Sequence, residues 1–345
     1  MDVCATIFAG EEDPFWWCAV PVCHALDVDA WLWEGCESGS ALRETWTNRP
    51  WAADKFNAYV QFWHTHVVSR AEPWVTRHGV VPPPFTWALH TRRKLSMHCV
   101  VFETIMLSVT EGILAVKQQC ATVMSGGATV QTVADLGYGV AALEHAKRTL
   151  GRWKNLPASL KAEVCELNDS FVEILTVVAL ILYHMSALMV LEAARELSAA
   201  DIVGGLRTVH DILTPEFNEN LQTVRALCFP LYNLACTLDA AVYVNMCSRM
   251  SELMYLEGNH QGSACVGKEA LDAIWGIYNA TRRPTPEAEA ALGRFADQMD
   301  ERKYVSERLA TSGQPIAAAP RIFSIAMILP GVELPKPSQT YPKRA

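Results

Sequence analysis

Apolar residues recur at steps of three and four through most of this chain, and strict alternation is absent. From Lys94 to Val123 they fall at Leu95, Cys99, Phe102, Met106, Val109, Ile113 and Val116, the spacing of an amphipathic helix. The same period predicts helices over 53–70, 130–153, 160–196, 199–213, 215–257 (kinked at Pro230), 262–279 and 284–308. Boundary residues agree with it. Ser198 and Asp201 form a variant capping box that starts a helix near Ala199. Pro215 suits a first helical position. Pro82-Pro83-Pro84 forces extended backbone, while Ser125-Gly126-Gly127 and Glu257-Gly258-Asn259 read as loops. The pattern describes an all-α array of helical hairpins. No fixed repeat period emerges, so a regular tetratricopeptide array is not supported, although an irregular relative of one is.

The two ends differ from this body. Tryptophan and cysteine crowd residues 1–50, with Trp16, Trp17, Cys18, Trp31, Trp33 and Trp46 among Pro and Gly. This predicts an irregular segment packed on the rest. Six prolines follow residue 310, and the last stretch reads as an extended tail. The resulting division is 1–50, a helical domain over 51–330, and a tail over 331–345.

The centre of the chain carries the most information. Ile174 to Leu191 is 18 residues without a charge, long enough to cross a bilayer as a helix. Tyr183, His184 and Ser186 lie in its middle and clear interfacial anchors are missing, which favours a core helix packed on all sides. Beyond the capped break, Ile202 and Leu206 share one helix face. Such a pair is ordinarily core. Gly204 and Gly205 beside it leave a surface flat enough for another helix to approach closely.

Composition narrows the function. The 345 residues are 50% hydrophobic and 19% charged, which suits a sizeable core. The formal charge of -8 and the lack of a Lys/Arg block argue against nucleic-acid binding. The 11 scattered cysteines, among them Cys99, Cys165, Cys228, Cys236 and Cys247, read as small buried hydrophobes of a reducing compartment. No secretory pattern opens the chain and no prenylation box closes it.

Candidate chemistry is sparse. Gly137-Tyr138-Gly139-Val140-Ala141-Ala142 fits a relaxed dinucleotide fingerprint, but it sits inside a helical pattern rather than between strand and helix. His64 and His66 are two apart, on opposing faces of a helix, which is poor metal geometry. Cys18, Cys23 and His24 lack a second pair at zinc spacing. No nucleophile elbow occurs. The one seed of a ligand pocket is Tyr183 and His184, with Glu192 further along.

Taken together, four segments resemble the Bro-one (BRO1) domain, the ALIX-type adaptor module of the ESCRT membrane-remodelling pathway. Phe85-Thr86-Trp87 followed by Cys99 to Gln118 is similar to the family's Phe-x-Trp element and its next helix. Tyr138-x-x-Ala141 is similar to its Y-x-x-A helix, and Thr176 to Leu213 to its central helix pair. Asp300 to Ile316 resembles its closing segment. The resemblance covers roughly residues 50–330. The family's AQAQE core reads Tyr183-His184-Met185-Ser186-Ala187-Leu188 here, and Val305 and Ala310 replace a family Tyr and Pro.

The resemblance implies a curved, banana-shaped helical body with a tetratricopeptide-like solenoid core. It implies a non-catalytic adaptor without cofactor, metal or small-molecule substrate. It also implies a partner, the C-terminal amphipathic helix of an ESCRT-III subunit, docked on an exposed apolar patch. Carried over by position, that patch is Met189, Ile202 and Leu206; given the charge of -8, attraction of an acidic helix would need a local basic patch, for which Arg195 and Arg207 are the candidates. The protein would be cytoplasmic and would reach endosomal membranes through its partner. Two rivals remain open: a helical enzyme or ligand-binding domain around Tyr183 and His184, and an integral membrane protein spanning at Ile174 to Leu191.

Overall fold

The computed structural model describes residues 22–23, 53–68, 84–89, 91, 93–124, 126–212, 215–280, 286–312 and 336–337. Most of the expectations for residues 1–50 and for the tail lie outside them.

A long apolar helix organises the described residues. It is α5 (Asp169–Ala193), one of ten helices in the order α1 (Ala53–Phe62), α2 (Val100–Met124), α3 (Val130–Arg152), α4 (Ala158–Glu163), α5, α6 (Ala199–Asp211), α7 (Pro215–Leu227), α8 (Phe229–Leu256), α9 (His260–Ala280) and α10 (Pro286–Thr311). Asn168 starts α5, its side-chain carbonyl accepting the Phe171 N–H at 3.1 Å. Length and composition would let α5 cross a membrane, yet 78% of its most apolar window is buried inside the protein. Helices α2, α3, α6, α7 and α8 pack around it. The uncharged segment is therefore the core helix expected from its polar midpoint.

Glycines set how closely the helices approach. A Cβ on Gly139 would lie 2.6 Å from the Ala115 Cβ, and one on Gly112 2.3 Å from the Leu143 Cγ. Each helix of the α2–α3 hairpin thus offers a notch to the other. This accounts for Gly139 of the dinucleotide-like motif as a packing residue.

The sequence pattern did not predict a sheet. Strands β1 (Val22–Cys23), β2 (Phe85–Ala88) and β3 (Lys94–Met97) form a small antiparallel sheet in that order, with Phe85 opposite Met97 and Trp87 opposite Leu95. Phe85 and Trp87 point inward and are fully buried. Four-residue strands are too short for alternation to stand out, and Leu95 happens to fit the helical period that truly begins at Val100.

Two helix breaks were also unforeseen. The expected 160–196 helix is interrupted by a 3₁₀ turn at Cys165–Leu167, after which Asn168 recaps the chain. The expected 215–257 helix is two helices broken at Cys228, whose φ is −147°. Pro230 sits in the first turn of α8, where its missing N–H costs no hydrogen bond, rather than at a kink. Helix α1 passes into a π-helical turn at Trp63–Val68, where the sequence pattern predicts continuing α-helix, and residues 69–70 lie outside the described residues. Cys165, Cys228 and Cys247 are buried, and burial raises all three thiols, Cys228 to about 11 and Cys247 to about 12.

One buried carboxylate joins α1 and the sheet to α2. Glu103 is fully buried and accepts the Tyr59 O–H at 2.9 Å and the Trp87 Nε1–H at 2.6 Å, one on each oxygen. Beside it, Trp63 Nε1 donates to Thr104 Oγ1 at 3.0 Å and meets Phe85 edge-on at 5.3 Å. Helix α5 ends by turning left-handed at Arg195 (φ +59°), where the Glu196 N–H returns to the Leu191 carbonyl at 3.0 Å. Glycine normally fills that position.

Two stability changes follow. Glu103→Ala strands two buried donors and costs on the order of 3 kcal/mol in denaturant unfolding. Arg195→Gly relieves the left-handed backbone and raises stability by about 1 kcal/mol, read as a higher melting temperature.

Candidate functional site

The residues expected to receive a partner lie where α5 hands over to α6. The turn between the helices is fixed by a reciprocal cap. The Asp201 N–H donates to Ser198 Oγ at 3.2 Å, while the Ser198 N–H and O–H donate to Asp201 Oδ2 at 3.0 and 2.6 Å. Those bonds from Ser198 hold the Asp201 carboxyl below its ordinary range. Helix α6 therefore begins at Ala199, as its sequence implies.

Past the cap, α6 lies on α5 through one close approach. A Cβ on Gly205 would stand 2.5 Å from the Leu188 Cδ2. The flat surface that the glycine pair was expected to offer a partner is thus taken, at Gly205, by this chain's own Leu188. Ile202 and Leu206 are buried, at 7% and 4% exposure, within the same core as Val203 and Val209. Met189 is half-buried and packs on that core from its edge. The structure corrects the expected openness: Ile202 and Leu206 are closed core residues, and of the three only Met189 is half open to solvent. The physical reason is that one apolar face of α6 has to cover α5 and α8, and these two residues are on it.

Further half-buried apolar residues on these elements are Val190 and Leu191 on α5, Leu197 in the turn, and Ile212 after α6. Charges surround them. Glu192 pairs with Arg249 of α8 at 2.8 Å. Arg207 Nε lies 3.6 Å from Asp211 Oδ2, and His210 Nε2 3.9 Å from Asp239 Oδ1 of α8. Arg195 is exposed on the turn. Arg249 had no signal in the sequence, because its partner lies on another helix and neither residue belongs to a motif.

The rival centre at Tyr183 and His184 does not converge with Glu192, which lies eight residues further, about 12 Å along the helix. Tyr183 is 5% exposed and covers Gly137, with its Cε2 3.1 Å from where a Cβ there would be. Burial raises the Tyr183 phenol above its ordinary value. His184 is buried at the next position of α5, its ring 5.2 Å from that of Tyr183, and its Nδ1 has no hydrogen-bond partner among the described residues.

The His64 ring meets His145 of α3 edge-on at 5.2 Å, while the His66 side chain lies outside the described residues. Burial, strengthened for His64 by His145 and for His145 by Arg148 and Arg152, lowers both imidazoles to about 4. Burial alone lowers His184 to about 4. Folding thus holds three histidines neutral. Between the ordinary value of 6.5 and about 4 the unfolded chain binds protons that the folded chain refuses. Their contribution to stability is complete above that window and is lost as pH falls through it. Urea midpoints are expected to drop across this range, with a shallower drop in His184→Leu. An unchanged slope in that variant would contradict the assignment for His184.

No family model matches the chain, and no curated protein matches it. Solved structures do. The structure described as "ALIX BRO1 CHMP4C complex" superposes with a TM-score of 0.65 at 12% identity, over 94% of this chain and 96% of that one. "Structure basis for endosomal targeting by the Bro1 domain" gives 0.67 at 10% identity, over 92% and 91%. "Crystal Structure of ALIX in complex with the SIVmac239 PYKEVTEDL Late Domain" gives 0.62 at 12% identity, and this chain spans 44% of that longer one. By these superpositions the chain has the Bro1-domain fold.

Proposed function

We propose that this chain is a non-catalytic adaptor that binds the C-terminal amphipathic helix of an ESCRT-III subunit, acting in the cytoplasm at endosomal membranes that it reaches through that partner. The observation that carries this reading is the fold, shared over nine-tenths of both chains with the ALIX BRO1 CHMP4C complex. The resemblance read from Thr176 to Leu213 supplies the place, the α5–α6 corner.

The recognition mode is a helix laid on an apolar surface, its anchors spaced by one turn. At the corner, Met189 is the adaptable anchor, because a thioether on an unbranched chain conforms to different partners. Ile202 and Leu206 are closed within the core. The reciprocal Ser198–Asp201 cap and the Leu188–Gly205 approach hold the two helices at a fixed angle, so little ordering is left for the binding event.

The burial values decide how to test this. Leu206→Asp or Ile202→Asp would place an unpaired charge in the core, and lost binding would then report unfolding. Met189→Asp is the informative variant, because that side chain is already half open to water. With fluorescent C-terminal helix peptides of ESCRT-III subunits, Met189→Asp is expected to weaken binding by about 2 kcal/mol, roughly thirtyfold. Undiminished affinity in a variant with the parental melting temperature would remove the site assignment. Failure of the folded parent to bind any such peptide would remove the adaptor reading.

A further inference from the structure

Gly137 is a residue that the adaptor reading does not use. It lies in the middle of α3, with helical backbone and no positive φ, where glycine costs about 1 kcal/mol relative to alanine. A glycine kept there needs a reason in packing. Its surroundings supply two. On one side a Cβ would stand 3.1 and 3.5 Å from the Cε2 and Cδ2 of the Tyr183 ring. On the other it would stand 3.8 Å from the Cα of Pro337, in the C-terminal tail. Backbone of the tail thus comes up against α3 at a position that has no side chain, beside a tyrosine ring.

The chemistry of that meeting is selective. Proline suits an aromatic-walled notch because its φ is fixed before docking and it has no N–H to strip of water. Extended proline-bearing segments lose little conformational freedom when they bind. Pro335 and Pro342 lie near Pro337 in the sequence. Tyr183 is 5% exposed with the tail in place.

We propose that the α3–α5 face carries a proline-accepting notch, formed by the bare backbone of Gly137 and the ring of Tyr183, and that this chain's own tail occupies it at Lys336-Pro337. The ligand class is an extended proline-containing peptide, held here within the same chain. The site is separate from the α5–α6 corner and does not depend on the adaptor reading.

The test uses the full chain. In a Gly137→Cys, Pro337→Cys double variant the two Cα atoms fall inside disulfide range, because the Cβ-to-Cα separation is 3.8 Å. Mild oxidation should join the two positions, scored by peptide mapping so that the 11 native cysteines are counted apart. Pro337→Gly, which alters only the tail, keeps the question open to refutation if the double variant does not fold. In that single variant Tyr183 should be nitrated several-fold faster, and a synthetic peptide of residues 331–345 should restore its protection. The same peptide with Ser in place of Pro337 should not. Absence of the cross-link in a folded double variant, unchanged nitration of Tyr183 in Pro337→Gly, or equal protection by the two peptides would each overturn the proposal.

Discussion

A helix without a charge over five turns has to be covered on every side, and the rest of this structure follows from that requirement. Ile174 to Leu188 of α5 is buried at every position but Leu180, which is half-buried. Each large aliphatic side chain so covered contributes roughly 1.5–3 kcal/mol, set against the chain entropy lost on ordering. One neighbour could not do this. Five helices share the task, and where they must come closest the sequence places glycine. Gly112 and Gly139 draw the α2–α3 hairpin together, and Gly205 seats α6 on Leu188. Gly137 lets Tyr183 lie flat against α3.

The sheet and α1 are attached by different means. Their apolar area is small, and polar bonds with fixed geometry locate them. A buried carboxylate is least costly when both oxygens are satisfied. At Glu103 they are, by a phenol from α1 and an indole from β2. A one-residue slip of β2 would carry the Trp87 indole to the opposite face, so Glu103 also fixes the register of the strand. The aliphatic core thus sets how tightly helices pack, and this network sets how the N-terminal elements align with them.

What could be read from the sequence follows the same division. Helices α3 and α6 were located closely because their apolar steps are long and their starts are chemically marked. Strands of four residues gave no period to detect, and Leu95 matched the helical one by chance. The breaks at Cys165–Leu167 and Cys228 lie within apolar runs whose hydrophobicity continues through them, so the pattern could not show that the backbone stops. For the site, the sequence named Met189, Ile202 and Leu206, of which Ile202 and Leu206 are buried. It could not distinguish a docking face from a core face, since both demand apolar residues four apart and only the neighbouring helices decide which is met. At Ile202 and Leu206 α5 and α8 decide it in favour of the core, and at Met189 they leave a rim.

That rim bears on how an adaptor of this construction would work. With Ile202 and Leu206 closed, a single docked helix would reach only half-buried residues such as Met189, and each of these has less surface left to bury than an open one. Under the proposed function, the weakness of one such contact is compatible with stable recruitment only if many are presented together. ESCRT-III subunits form polymers, as the resemblance implies, and linked copies raise the effective concentration of each successive contact without any new surface. A rigid corner with one adaptable anchor would then favour assembled partner over free subunit, because affinity would grow with the number of helices presented while the individual site stayed modest.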